Sequence, residues 1–304
     1  MKAYAARQIS DEQFDAAKEV ALRDTINRLE ATGSPVITDG EQTKPSFATY
    51  PLSGLENLAA DGVTIPFADG HTRQLPRLTR GPFRYGIHAA TFLKAAQRHA
   101  HRPLKQAVIS ASALSLLYPQ SGLDGYPREA FLEDLAQEAE RDIRECLEAN
   151  AACVQIDFTE GRLALKLDPT GGLLNTFIDL NNRLLDRFSD ADQKKIGVHT
   201  CPGGDHDSTH SADVDYMGLL PGLFRLKVGR FYVQLASERD RRRVLAMIRN
   251  LLKPGQMLFV GVTDPINPKI ESPEVIRDRV LEAAEFIPAE SLGTNRRLRI
   301  LAFR

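Results

Sequence analysis

The chain has 304 residues, 42% of them hydrophobic and 26% charged, with 39 Lys and Arg against 40 Asp and Glu. These are ordinary values for a globular protein, long enough for one large domain or two small ones. A formal charge of −1 gives no basis for nucleic acid or an anionic membrane as partner, and no stretch approaches the roughly 18 apolar residues of a membrane span.

The opening MKAYAARQISDEQ has no apolar segment, so no secretion signal is expected. Ser10 and Gln13 then stand in capping-box spacing and open a helix over 10–32. Phe14, Ala17, Ala21, Leu22 and Leu29 form its apolar face, and Gly33 is its C′ residue. SPVITDGE (near 34–41) and QAVISASAL (near 106–114) are the first two short apolar runs of strand character. REAFLEDLAQEAERDIRECLEAN lines Leu132, Leu135, Ala139, Ile143, Cys146 and Leu147 along one helical stripe. ACVQIDF (152–158), KIGVHTC (195–201), RFYVQLA (230–236) and MLFVGVTD (257–264) complete the strands. A last helix begins with Ser272 at the cap and Pro273 at the first helical position, with Val275, Ile276, Val280 and Ala284 facing inward.

Nearly continuous apolar strands alternating with amphipathic helices mean βα units, in a closed (βα)8 barrel or a doubly wound sheet. No Gly-x-Gly-x-x-Gly follows any strand, which weighs against the nucleotide-binding sheet. A barrel places polar residues at the C-terminal ends of many strands. Here those ends carry Asp39, Glu41, Ser110, Asp157, His199, Cys201, Gln234 and Asp264. The expectation is a single (βα)8 TIM barrel over residues 1–304.

The densest chemistry is GVHTCPGGDHDSTH, residues 197–210. A His-x-Cys pair on a strand points both side chains to one face, and imidazole and thiolate are both zinc ligands. Two ligands are not a site, and a strand-end His and Cys without metal is an equal reading. His206 and His210 either complete a metal site or are solvated loop histidines. Cys146 and Cys153 read as small core residues, and three cysteines in no paired spacing as reduced thiols in a cytoplasm. His71, His88, His99 and His101 form no ligand pattern. Asp157 and Glu41, taken singly, either cap and pair locally or belong to a site; their convergence on one barrel mouth favours the site.

TDGEQ, VQIDFTEGRLALKLDP, GVHTCPGGDHDSTHSADVDY, FYVQLASERDR and FVGVTDPI together resemble the catalytic barrel of the cobalamin-independent methionine synthases, in the short, single-barrel form. The similarity runs over roughly residues 3–295. It implies one Zn2+ at the mouth and transfer of a methyl group from 5-methyltetrahydrofolate, or a related donor, to the thiol of homocysteine. Metal binding ionises the thiol, the leaving nitrogen needs a proton, and the barrel aligns the reactants. The resemblance assigns His199 and Cys201 as metal ligands and puts Gln234, a weaker amide ligand, where the family has a glutamate. It assigns Glu41 and Asp157 to the substrate ammonium. Asp264 matches a family aspartate and is the candidate acid, because no histidine matching the family's proton donor stands in TDPINPKIESP.

Both ends depart from the family. Its first strand, with a Gly-Ser-x-Pro-Arg-type motif, has no counterpart here, and its final cysteine ligand has none after Cys201. Shifted by one base, codons for the family's Asp-Asp-Cys-Gly-Phe-Ser-Pro-Phe translate as Arg-Arg-Leu-Arg-Ile-Leu-Ala-Phe, the residues from Arg296 to Phe303. The tail therefore reads as a frameshifted metal-binding end in which RLRIL serves as an altered last strand; sequencing the parent DNA for a cysteine codon in a neighbouring frame tests this. Weakened zinc binding and low methyl transfer are expected. The competing expectation is a catalytically impaired barrel; a third is a related methyltransferase using a corrinoid or another thiol.

Overall fold

The structure, a computed structural model, describes residues 4, 6–67, 70–201, 214–264, 267 and 269–295. Among these residues the centre is one parallel sheet of seven strands. These are β1 (Ile37–Thr38), β6 (Leu104–Ile109), β7 (Cys153–Asp157), β8 (Ile196–Thr200), β9 (Arg230–Gln234), β10 (Met257–Gly261) and β11 (Leu292–Asn295). They pair in chain order. The result is a curled, TIM-barrel-like α/β sheet in which every strand ends on the same side. Among the described residues β1 pairs with β6 and β11 with β10, with no ladder between β1 and β11. The last described strand is Leu292–Asn295, which pairs with β10 in the parallel register Leu258↔Leu292 to Gly261↔Asn295. RLRIL and the rest of 296–304 lie outside the described residues.

Every residue of β7 and β8 is buried, as strands covered on both faces must be. Alternation sends Val154, Ile156, Ile196 and Val198 to one side and Gln155, Asp157 and His199 to the other. Gly197 is required by close approach: a Cβ there would lie 2.7 Å from the Tyr232 ring and 3.0 Å from Arg230 Cβ. Ile26, Ile143, Ile178, Leu219 and Ile248, from five different helices, belong to one core cluster around the sheet.

The capping box at Ser10 and Gln13 is formed, and the helix spans Asp11–Ala31. Gly33 follows at φ +73°. Its buried face is Leu22, Thr25, Ile26 and Leu29; Ala17 is exposed, so the expected face is rotated toward the C-terminal half. The helix Arg128–Glu148 buries Leu135, Ala139, Ile143 and Cys146 as expected, with Glu138 and Asp142 beside them. In the helix Pro273–Ala284, Ser272 caps Val275 N–H. Val275 and Ala284 are exposed while Ala283 is buried and Ile276 and Val280 pack partly. Part of QAVISASAL is also helical: after β6 the chain turns into Ala111–Leu114, with Ser110 as N-cap.

The excursion between β1 and β6 was not anticipated. It contains two antiparallel ladders, β2 (Leu58–Ala59) with β5 (Arg77–Leu78) and β3 (Thr64–Pro66) with β4 (Thr72–Gln74). Among the described residues no helix is long and apolar enough to cross a membrane.

Candidate active site

Asp157 and His199 are Cα partners in adjacent strands, each at or next to its strand's C-terminal end. His199 Nδ1 lies 3.2 Å from Asp157 Oδ1, and the same oxygen accepts from Gln155 Nε2 at 2.7 Å. Burial opposes charge on His199, but the Cys201 sulfur and the Asp157 carboxylate overcome it, and its pKa is pushed up to about 9. Burial likewise opposes ionisation of Asp157, yet the His199 hydrogen bond holds its pKa below the usual carboxylate value. At neutral pH this half of the mouth is an Asp157–His199 ion pair beside the buried sulfur of Cys201.

Glu41 reaches the same mouth from the loop after β1. Gly40 and Glu41 both have positive φ, +62° and +56°, a strained conformation for glutamate that such loops keep at functional sites. The turn is held by Thr38 Oγ1 accepting from Gly40 N–H and by Asp39 Oδ1 accepting from Glu41 N–H, both at 3.0 Å. Burial raises the Glu41 pKa, Lys44 lowers it, and the charges of Asp157 and Asp39 raise it again. Glu41, Asp157, His199 and Cys201 thus form one electrostatic group.

Gln234 and Asp264 stand apart from it. The β8–β9 register pairs Thr200 with Val233, which puts Gln234 level with Cys201. Yet Gln234 Oε1 accepts from Ala236 N–H at 3.0 Å, and its Nε2 donates to Thr263 O at 3.4 Å. The lone pair a metal needs is turned into the loop. Asp264 is partly exposed, and its N–H donates to Glu271 Oε1 at 2.8 Å.

A zinc ion suits His199 and Cys201 by donor type. Asp157 on Nδ1 is the orienting partner that a metal-bound imidazole uses, leaving Nε2 as the other donor. Gln234, as placed, does not fit. Among the described residues no group of three or more His, Cys, Asp or Glu converges to hold a metal. His206 and His210 lie outside the described residues.

Several buried polar groups escaped sequence reasoning. Lys44 is fully buried beside Glu41. Glu160 accepts from Ser110 Oγ at 2.6 Å and from Ser112 Oγ, and burial pushes its pKa up to about 7 despite both bonds. Asn181 Nδ2 donates to Ser112 Oγ at 2.6 Å, so this cluster joins the short helix Ala111–Leu114 with its cap Ser110, the helix Glu160–Leu167 and the helix Gly172–Leu185. Arg162 pairs with Glu238 and lies 3.6 Å over the Tyr216 ring. The only sequence signal was a charged residue soon after an apolar strand, which equally describes a solvated loop.

The fold and this mouth define a TIM-barrel-like α/β protein with its polar chemistry at the C-terminal strand ends. No family model matches the chain. It is 22% identical over 299 residues to the 5-methyltetrahydropteroyltriglutamate–homocysteine methyltransferase of Syntrophotalea carbinolica, covering 95% of this chain and 36% of that protein. The chain therefore spans about a third of that relative's length. A B12-independent methionine synthase from Shewanella sp. W3-18-1, solved in complex with selenomethionine, superposes with a TM-score of 0.75 at 19% identity. That match covers 96% of this chain and 84% of the other. The chain thus has a distant sequence similarity to the cobalamin-independent methionine synthases and shares the fold of one of them.

Proposed function

We propose that the chain is a cytoplasmic methyltransferase that moves a methyl group from 5-methyltetrahydrofolate, or a related donor, to the thiol of a homocysteine-like acceptor. It works as one barrel unit over residues 1–304, without nucleic acid or membrane as partner. The observation that carries this reading is the buried Asp157–His199–Cys201 group at the strand ends, together with the methyltransferase relative that matches along 95% of the chain.

The residues divide the work. His199 and Cys201 would hold Zn2+, with Asp157 fixing the imidazole. Bound there, the metal supplies Lewis acidity that lowers the pKa of an incoming thiol. Glu41 and Asp157 receive the substrate ammonium through charge-assisted hydrogen bonds. Asp264 is assigned the proton for the leaving nitrogen, with its loop fixed by the Glu271 carboxylate. Gln234 supports the loop after β9 more directly than it serves a metal. That last point favours a second reading, a barrel of impaired activity with an incomplete metal site.

Incubating the protein with zinc, homocysteine and candidate methyl donors, then looking for methionine by mass, separates the two. Methionine formed in proportion to enzyme supports the transferase. Zinc bound at a full equivalent with no product from any donor supports a different acceptor. Neither zinc nor product supports the impaired barrel.

A further inference from the structure

Lys44 is a residue of the mouth that neither the sequence motif nor the ligand assignments use. Its side chain is 1% exposed, and an isolated buried ammonium is costly unless something holds it. The site is built for it. Nζ donates to Ala107 O of β6 at 2.6 Å and lies 4.7 Å from the Tyr50 ring centre and 5.9 Å from that of Phe92. Tyr50 is itself fixed by Asp142 of the helix Arg128–Glu148, whose other oxygen accepts from Ala89 N–H at 2.5 Å.

From this fixed position Nζ stands 3.4 Å from Glu41 Oε1. The Ala107 bond is the short one, so Glu41 is steered by the cation without being consumed by it. The Glu41 side chain is 23% exposed where Lys44 is 1%; a guest reaches the carboxylate and not the amine. Burial works against the charge of Lys44, and the carboxylates of Glu41, Asp39, Asp157 and Asp142 overcome that penalty. Glu41 in turn faces Lys44, Asp157 and Asp39, with the charge of Lys105 from β6 further off. Take Lys44 away, and burial and two neighbouring carboxylates all push Glu41 toward its neutral form.

We propose that Lys44 is the positioning cation of the mouth: it keeps Glu41 ionised and aimed so that the ammonium of an amino-acid thiol meets a carboxylate. The substrate class so selected is the thiol that carries an α-ammonium group, over its des-amino analogue. This rests on the methyltransferase reading above for the identity of the guest, but the Lys44–Glu41 coupling does not.

The experiment has two arms. In the first, the carboxyl of Glu41 is followed by 13C NMR across pH in the wild type, Lys44→Met and Lys44→Arg. Glu41 is expected to titrate at higher pH in Lys44→Met than in wild type, with Lys44→Arg staying near wild type. Identical titration in all three overturns the proposal. Should Lys44→Met not fold, Lys44→Gln keeps a donor for the Ala107 carbonyl, removes the charge and is judged by the same criterion. In the second arm, calorimetry compares homocysteine with 4-mercaptobutyrate. Lys44→Met is expected to bind homocysteine about tenfold more weakly at pH 7, to recover as pH rises, and to bind 4-mercaptobutyrate as wild type does. An equal loss for both thiols at every pH marks a merely structural lysine and overturns the proposal. Wild-type protein that ignores homocysteine sinks the methyltransferase reading and the thiol specificity, while the first arm still decides whether Lys44 controls Glu41.

Discussion

The two halves of the mouth are built differently. On the β7–β8 side Asp157 and His199 are buried, oppositely charged and hydrogen-bonded beside the buried Cys201; on the β9–β10 side Gln234 is neutral and bonded to the loops after β9 and β10, and Asp264 sits partly exposed. Both halves are made of the same parallel strands in continuous register. The contrast shows that the fold alone does not make a metal centre. Side chains stay available at the strand ends where the next strand offers them a charged partner, and become structural props where the nearest partner is a backbone amide.

The largest expected effect breaks the contrast outright. His199→Ala should weaken zinc binding by more than about 100-fold, since it removes a ligand where loss of an outer partner already costs 10–100-fold. Calorimetric titration of metal-stripped protein measures it, and equal affinity in wild type and variant would place the metal elsewhere. Asp157→Asn comes next, with a loss of about 10–100-fold. It also has a metal-free signature. The raised pKa of His199 means that its contribution to stability is complete below its ordinary value of 6.5 and is lost as pH rises through about 9. Thermal melts of the metal-free wild type should therefore fall across that window, and those of Asp157→Asn should be flatter. Gly197→Ala tests the packing beneath: its new Cβ would meet the Tyr232 ring at 2.7 Å, costing about 1–3 kcal/mol in urea unfolding.

How much of this was legible in the sequence follows from the range of each force. Parallel strands buried on both faces have to be apolar runs, so six of the seven sheet strands could be read directly, and capping at Ser10 and Ser272 is local enough to see in four residues. The excursion between β1 and β6 was not legible, because its ladders are two or three residues long and carry no periodicity. Glu41, Asp157, His199 and Cys201 were found through strand ends and motif, and the structure brings them into one group. Lys44 and Glu160 were missed because burial of a charge is a property of what packs around it: Ala107 is 63 residues from Lys44, and Ser110 is 50 from Glu160. Gln234 was assigned by position, yet its side-chain direction is set by an amide two residues later.

That direction makes Gln234→Glu the finest test of the contrast between the halves. A glutamate there would still accept from Ala236 N–H with one oxygen. Its second oxygen would replace the Nε2 that now donates to Thr263 O at 3.4 Å, setting two acceptors against each other. Repulsion of that kind turns the carboxylate away from the loop and toward the level of Cys201. Zinc affinity should therefore rise, but by less than about tenfold, because a flexible third ligand gains less than a held one. Affinity unchanged from wild type would mean that the Ala236 amide keeps its hold on the side chain, and that the β9 side of the mouth is closed to metal by its backbone and not by its missing charge.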